Sequence, residues 1–92
     1  MSYVLEFTET ALADIKKHRK VGDKAVLRKM DNLLKELMEH PLTGTGQPKP
    51  LKHSLTGIYS RRINGKHRLV YSIEEEKITV HVLSTWGHYG DK

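Results

Sequence analysis

The sequence predicts an α+β domain: an antiparallel sheet with two N-terminal helices packed on one face, in the order β-α-α-β-β-β. Three observations predict it. A helical apolar stripe occupies the first half, alternating apolar residues occupy the second, and Asn64-Gly65 separates two of the alternating runs. The 92 residues are read as one domain, 1–92. A chain this short buries only roughly 60–65% of its unfolded surface and leaves no room for a second core.

Tyr3 to Phe7 read as the first strand, with Tyr3, Leu5 and Phe7 on one side and Val4 and Glu6 on the other. Thr8 is placed to cap a helix through Ala11, Leu12 and Ile15 that ends near Lys20. Gly22 breaks the chain and Asp23 caps a longer helix. Its apolar residues Val26, Met30, Leu33, Leu34 and Leu37 form a stripe down one face, and His40-Pro41 end it. Gly44 to Gly57 lack periodicity and read as a long loop stiffened by Pro48 and Pro50. Ile58–Ile63 and Lys66–Ile73 flank Asn64-Gly65, the pair suited to a two-residue type I′ turn. Glu74 to Glu76 make an acidic turn before a last strand, Lys77–Ser84, in which Ile78, Val80 and Val82 alternate with Thr79, His81 and Leu83.

Composition removes several classes of function. There is no cysteine, hence no disulfide framework, thiolate metal site or cysteine nucleophile, which suits a reducing cytoplasm. No apolar run approaches the ~18 residues of a membrane span, and MSYVLEFTET lacks a signal-peptide pattern. The reading is a cytoplasmic protein without a membrane partner. Phosphate-binding glycine motifs, HExxH and EF-hand patterns are missing. The histidines at 18, 40, 53, 67, 81 and 88 include no pair at helical i, i+4 spacing, so neither a metal nor a cofactor is expected.

The positive charge is concentrated. Residues 40–73 contain no Asp or Glu but hold Lys49, Lys52, Arg61, Arg62, Lys66 and Arg68, more cations than the net charge of +5. A segment of one sign attracts polyanions, and phosphate backbones are their commonest form. In a two-residue hairpin Arg61 faces Arg68 and Arg62 faces His67; a one-residue slip or a bulge brings Arg62 beside Arg68 instead. Alternation alone leaves both registers open. After the last strand, His88-Tyr89 stand between two glycines, where core packing has little use for them. Imidazole is a natural general acid near neutral pH, and a phenol can stack on a base. An inert, frayed terminus is the competing reading of the same two residues.

The run PKPLKHSLTGIYSRRINGKHRLVYSI, with Gly87-His88-Tyr89, resembles the YoeB/Txe group of the RelE superfamily of bacterial toxins. Most members read PEPLKH-x-L-x-G-x-[WY]-SRRI, then HRLVY, then a C-terminal HY. The N-terminal half matches in layout and hardly in letters. The resemblance implies a RelE-like, microbial-ribonuclease-like fold. It also implies a metal-free, cofactor-free mRNA endoribonuclease that inhibits translation by cutting mRNA in the A site of the 70S ribosome. A cognate antitoxin of YefM/Axe type holds such toxins inactive, and a homodimer is among the assemblies open to them. By position, the general acid falls on His88, the phosphate-binding arginine on Arg68, supporting cations on Lys52 and Arg62, and the terminal tyrosine on Tyr89. Arg61 lies beside them in the same motif and is counted with the phosphate-binding set.

One position departs from the group. Where its members carry the Glu of PEP as general base, this chain has Lys49. Three readings follow: an inactivating change that leaves a binding module, a neutral lysine acting as base, or a protonated lysine that stabilises the phosphorane, as in the lysine-rich sites of RelE. The third is favoured, because phosphate supplies the counter-charge that Lys52, Arg62 and Arg68 lack. ParE-like toxins, which share the fold but bind a topoisomerase, are the alternative of another class. They lack the HY ending and the lysine-rich loop.

Overall fold

A computed structural model describes residues 2–41, 49–50 and 57–87, with the backbone alone for 49–50. The elements are β1 (Val4–Phe7), α1 (Glu9–Val21), α2 (Lys24–Glu39), β2 (Lys49–Pro50), β3 (Ile58–Arg62), β4 (Arg68–Glu74) and β5 (Thr79–Ser84), with a 3₁₀ turn at Glu75–Lys77. The predicted α+β class and the order of its main elements are observed. No helix among the described residues is long and apolar enough to cross a membrane.

Local chemistry accounts for the helices. Thr8 Oγ1 accepts from the Ala11 amide at 3.0 Å and donates to the Leu83 carbonyl at 2.9 Å, so the cap also ties α1 to β5. Asp23 Oδ1 accepts from the Ala25 and Val26 amides. Between the helices Gly22 takes φ +76°, a left-handed C-cap that a side chain would strain, and its amide bonds to the His18 carbonyl. Val26, Met30, Leu33 and Leu37 of α2 are buried as the stripe requires. They meet Leu69, Tyr71, Val80 and Val82 from one face of the sheet, with Ala11 and Ile63 completing the core.

The sheet order is β1-β5-β4-β3-β2. It is mixed rather than wholly antiparallel, because β1 pairs in parallel with β5 from Val4↔Thr79 to Phe7↔Val82. The segment predicted as loop contributes the two-residue edge strand β2, with Lys49 across from Ser60 and Pro50 across from Tyr59; the remainder of that loop lies outside the described residues. An edge is where a sheet tolerates proline.

The β3–β4 connection corrects the two-residue turn. Arg62 pairs with Arg68, which is the slipped register. A type I′ turn needs positive φ at both central residues, and neither Asn64 nor Gly65 has it. Asn64 instead uses its side-chain oxygen to accept from the Lys66 and His67 amides at 2.9 and 2.8 Å, lengthening the loop. Ile78 also departs from expectation. It takes φ +50° and ends the 3₁₀ turn, and the strand starts only at Thr79. With Glu74 paired to Thr79, the reversal between them requires a left-handed residue, and Ile78 is the one that supplies it.

A polar network crosses the core. Arg61 is fully buried on the helix side of β3. Its Nη1 donates to Glu36 Oε1 of α2 at 3.1 Å, its Nε to the Tyr71 hydroxyl at 3.3 Å, and its Nη2 to the His40 carbonyl. The Tyr71 hydroxyl in turn donates to the Pro41 carbonyl at 2.5 Å. Both partners beyond Glu36 close the end of α2 against the sheet.

Removing one partner of a buried ion pair leaves an uncompensated charge, which costs about 3–5 kcal/mol, whereas replacing both with apolar groups is often nearly neutral. Glu36 is partly exposed, so Glu36→Ala should sit near the lower end, about 3 kcal/mol, and Glu36→Ala/Arg61→Met should recover most of it in urea unfolding. Equal losses in the single and double variants would deny the pair its role. Burial raises the Tyr71 phenol above its ordinary 10.0, against the opposing Arg61 hydrogen bond and charge. The folded chain thus holds this proton more tightly than the unfolded one. Its contribution is whole below pH 10.0 and is lost as pH rises through the folded value. Alkaline denaturation midpoints should therefore fall more steeply with pH in the wild type than in Tyr71→Phe.

Candidate phosphate-binding site

Side chains alternate along a strand, so burying Arg61 turns Ser60 and Arg62 to the face away from the helices. Arg68, directly across from Arg62, joins them there. Arg68 Nε donates to Ser60 Oγ at 3.0 Å, which orients the guanidinium along the sheet. Neither arginine forms an ion pair among the described residues. Partial burial first, and the Arg62 charge second, hold Arg68 below the ordinary arginine value. Both effects disfavour a bare cation, and a bound anion relieves both.

The backbone register sets Lys49 across from Ser60, the residue that orients Arg68. At the other side of β4, Gly87 is fastened by both its backbone groups. Its carbonyl accepts from the Arg68 amide at 2.9 Å, and its amide donates to His67 Nδ1 at 2.9 Å. Gly87, the last described residue, is thus held beside Arg68. Lys52, His88 and Tyr89, expected at this site, lie outside the described residues, as does the Lys49 side chain.

Arg61 is the correction. It does not join Arg62 and Arg68, because β3 parity points it into the core, where Glu36 neutralises it. Two further features went unnoticed in the sequence. Asp14 and His18 are buried on the inner face of α1 with Ala11, and both bind the last strand's exit: Asp14 Oδ2 accepts from the Thr85 amide at 3.0 Å, and His18 Nε2 donates to the Thr85 carbonyl at 2.8 Å. Their i, i+4 spacing on one helix face was the available signal. His67 and Trp86, with ring centroids 4.4 Å apart, form the second feature.

At its opposite end the same face is acidic. His81 Nε2 lies 2.8 Å from Glu74 Oε1, and His81 Nδ1 lies 3.5 Å from Glu6 Oε1. The His81 hydrogen bond lowers the Glu74 carboxyl below its ordinary range. No group of three or more acidic or histidine side chains among the described residues is arranged to hold a metal ion. The face therefore runs from carboxylates engaged by His81 on β1, β4 and β5 to an uncompensated cationic patch on β3 and β4.

The five-stranded sheet, the two helices on one side and the cationic edge on the other define a RelE-like α+β domain. The family model described as a YoeB-like toxin of bacterial type II toxin–antitoxin systems matches residues 7–89. Toxin YoeB of Escherichia coli K12 is 41% identical over 58 residues, covering 63% of this chain and 69% of that protein. Toxin YoeB of Synechocystis is 41% identical over 68 residues, covering 74% and 77%. Among solved structures, the YoeB dimer from Staphylococcus aureus superposes with a TM-score of 0.83 at 37% identity, covering 97% of this chain and all of that one. The Staphylococcus aureus YoeB–YefM complex gives a TM-score of 0.78 at 36% identity, with the same coverage. The chain belongs to the YoeB-like toxins of bacterial type II toxin–antitoxin systems.

Like charges directly opposed on a ladder are destabilising by roughly 0.2–1 kcal/mol. Arg62→Gln should therefore raise stability by about 0.5 kcal/mol while weakening the binding of a single-stranded RNA oligonucleotide. The slope of log affinity against log salt should shrink by about one. Unchanged affinity at low salt would remove Arg62 from the site.

Proposed function

We propose that this chain is a ribosome-dependent mRNA endoribonuclease that works by in-line phosphoryl transfer without a metal or other cofactor. The 2′-oxygen of the substrate attacks the adjacent phosphorus, its proton passing to solvent or to a site base. The bond from phosphorus to the 5′-oxygen breaks, and His88 supplies the proton that the leaving oxygen takes. Arg68, held by Ser60, and Arg62 neutralise the charge that builds on the phosphorane, with Lys52 and protonated Lys49 alongside. Tyr89 stacks on a neighbouring base.

The observation that carries this reading is the uncompensated Arg62–Arg68 pair next to the Gly87 fastening. It gives a phosphate a reason to bind at the point from which residue 88 departs. The partners follow by likeness. An antitoxin resembling the YefM of the Staphylococcus aureus complex would mask residues 40–73 with an acidic segment, and a homodimer like that of the Staphylococcus aureus toxin is the assembly to look for. The 70S ribosome would present the message in its A site, in the cytoplasm.

The test is cleavage of a defined message on 70S ribosomes, followed by primer extension, with and without EDTA. The wild-type chain should cut, and chelation should not matter. His88→Ala should lose ~10²–10⁴-fold, the usual share of a general acid. Lys49→Ala should lose about 1–3 kcal/mol of transition-state stabilisation, the scale of one charge-assisted contact. Lys49→Glu should remain active, its pH–rate profile gaining one further acidic ionisation from the carboxylate. If the wild type leaves message intact and Lys49→Glu cuts it, Lys49 is an inactivating change and the native chain is a binding module. Recovery of a type II topoisomerase instead of ribosomes with the purified chain would favour the ParE-like alternative.

A further inference from the structure

The segment Thr85–Gly87 is held more firmly than a strand end needs. Asp14 and His18 of α1 grip both backbone groups of Thr85. Trp86 packs against both His18 and His67, at 4.8 and 4.4 Å between ring centroids, with Lys17 Nζ 5.1 Å from its ring. Gly87, at φ +74°, is bonded on both sides by His67 and Arg68. Most of these contacts are indifferent to protonation. His18 donates from Nε2, which an imidazolium does equally well. His67 differs: to accept from the Gly87 amide, Nδ1 must carry no proton.

We propose that His67 is a positioning residue for the transfer reaction: its unprotonated Nδ1 fixes the direction in which the chain leaves the sheet toward His88, and protonation of His67 releases it. The proposal rests on the reading of His88 as the general acid at Arg68. A protonated Nδ1 would set an N–H against the Gly87 N–H, so the bond inverts into a repulsion. Among the described residues, the charged and titratable groups around the imidazole and the pocket it lines include His18 from α1, its ring in edge contact at 4.8 Å, Asp23 at the start of α2, and Lys66 and Arg68 flanking His67 in the chain. Lys17 stands across Trp86. The two histidines act in opposite senses. Activity needs His67 neutral and His88 charged, so His67 sets the acidic limb of the pH–rate profile and His88 the alkaline one.

Two variants separate the role from mere packing. His67→Phe keeps a ring against Trp86 and removes the acceptor; its kcat should fall about 10- to 100-fold at every pH with KM unchanged, the scale of a misplaced catalytic group. His67→Asn puts an oxygen near the Nδ1 position that accepts at any pH. It should recover most of the rate and lose the acidic limb while keeping the alkaline one. In parallel, the Gly87 amide resonance of ¹⁵N-labelled chain should titrate in the wild type and not in His67→Asn. Wild-type kcat in His67→Phe, or an acidic limb and a Gly87 titration that both persist in His67→Asn, would overturn the proposal. If the wild type cuts no message at any pH, the nuclease reading fails, and the Gly87 titration alone then decides whether His67 controls the tail.

Discussion

One buried charge organises this molecule. Arg61 is wholly enclosed, and a guanidinium cannot shed its charge, so the core must answer it with Glu36, Tyr71 and a carbonyl at the end of α2. That answer has consequences in two directions. Toward the helices, it sets where α2 ends relative to the sheet, because the carbonyls of His40 and Pro41 are both used. Toward the other face, strand parity leaves Arg62 no choice. A strand cannot bury two adjacent arginines on one face, and a one-residue slip of β3 would turn Tyr59 out together with Arg61. The cationic surface is thus the geometric complement of the buried pair.

The three arginines of this region show why local sequence carries only part of the information. Arg61, Arg62 and Arg68 are chemically identical, and all fall in one acid-free stretch. Their separate fates depend on Glu36, which belongs to another element. The helices were legible because their determinants are neighbours in sequence: Thr8, Asp23 and Gly22 act within three or four residues, and the α2 stripe repeats with the helical period. The register of β3 and β4 was not, since Asn64 is equally able to enter a tight turn or to capture two backbone amides with its side chain. The parallel placement of β1 against β5 likewise had no local signature. Within the candidate site, Arg62 and Arg68 were named from the motif resemblance, since charge alone does not separate them from Arg61. Asp14 and His18 were not legible, since polar residues on a short helix are ordinarily solvated.

The site gains by what the fold withholds. Glu74 and Glu6 both stand on the same face as Arg68, yet they are engaged with His81 at the far edge and do not reach the arginines. Placing one carboxylate near Arg68 would have stabilised the protein and cancelled the positive charge of this surface. Leaving such charge uncompensated costs folding free energy, a pattern common at sites for charged ligands.

The parallel pairing of β1 with β5 bears on how the chain acquires its structure during synthesis. Val4 and its partner Thr79 stand at nearly opposite ends of the described sequence, and the edge of β1 finds no other neighbour in the sheet. As the polypeptide emerges, β1, α1 and α2 appear first and have no sheet to cover. The apolar stripe of α2 must wait for Leu69, Tyr71, Val80 and Val82, so the long-range contacts that complete the core are all late. A nascent chain of this kind stays unfinished until its last strand has been made, so it takes shape only after most of its own message has been read.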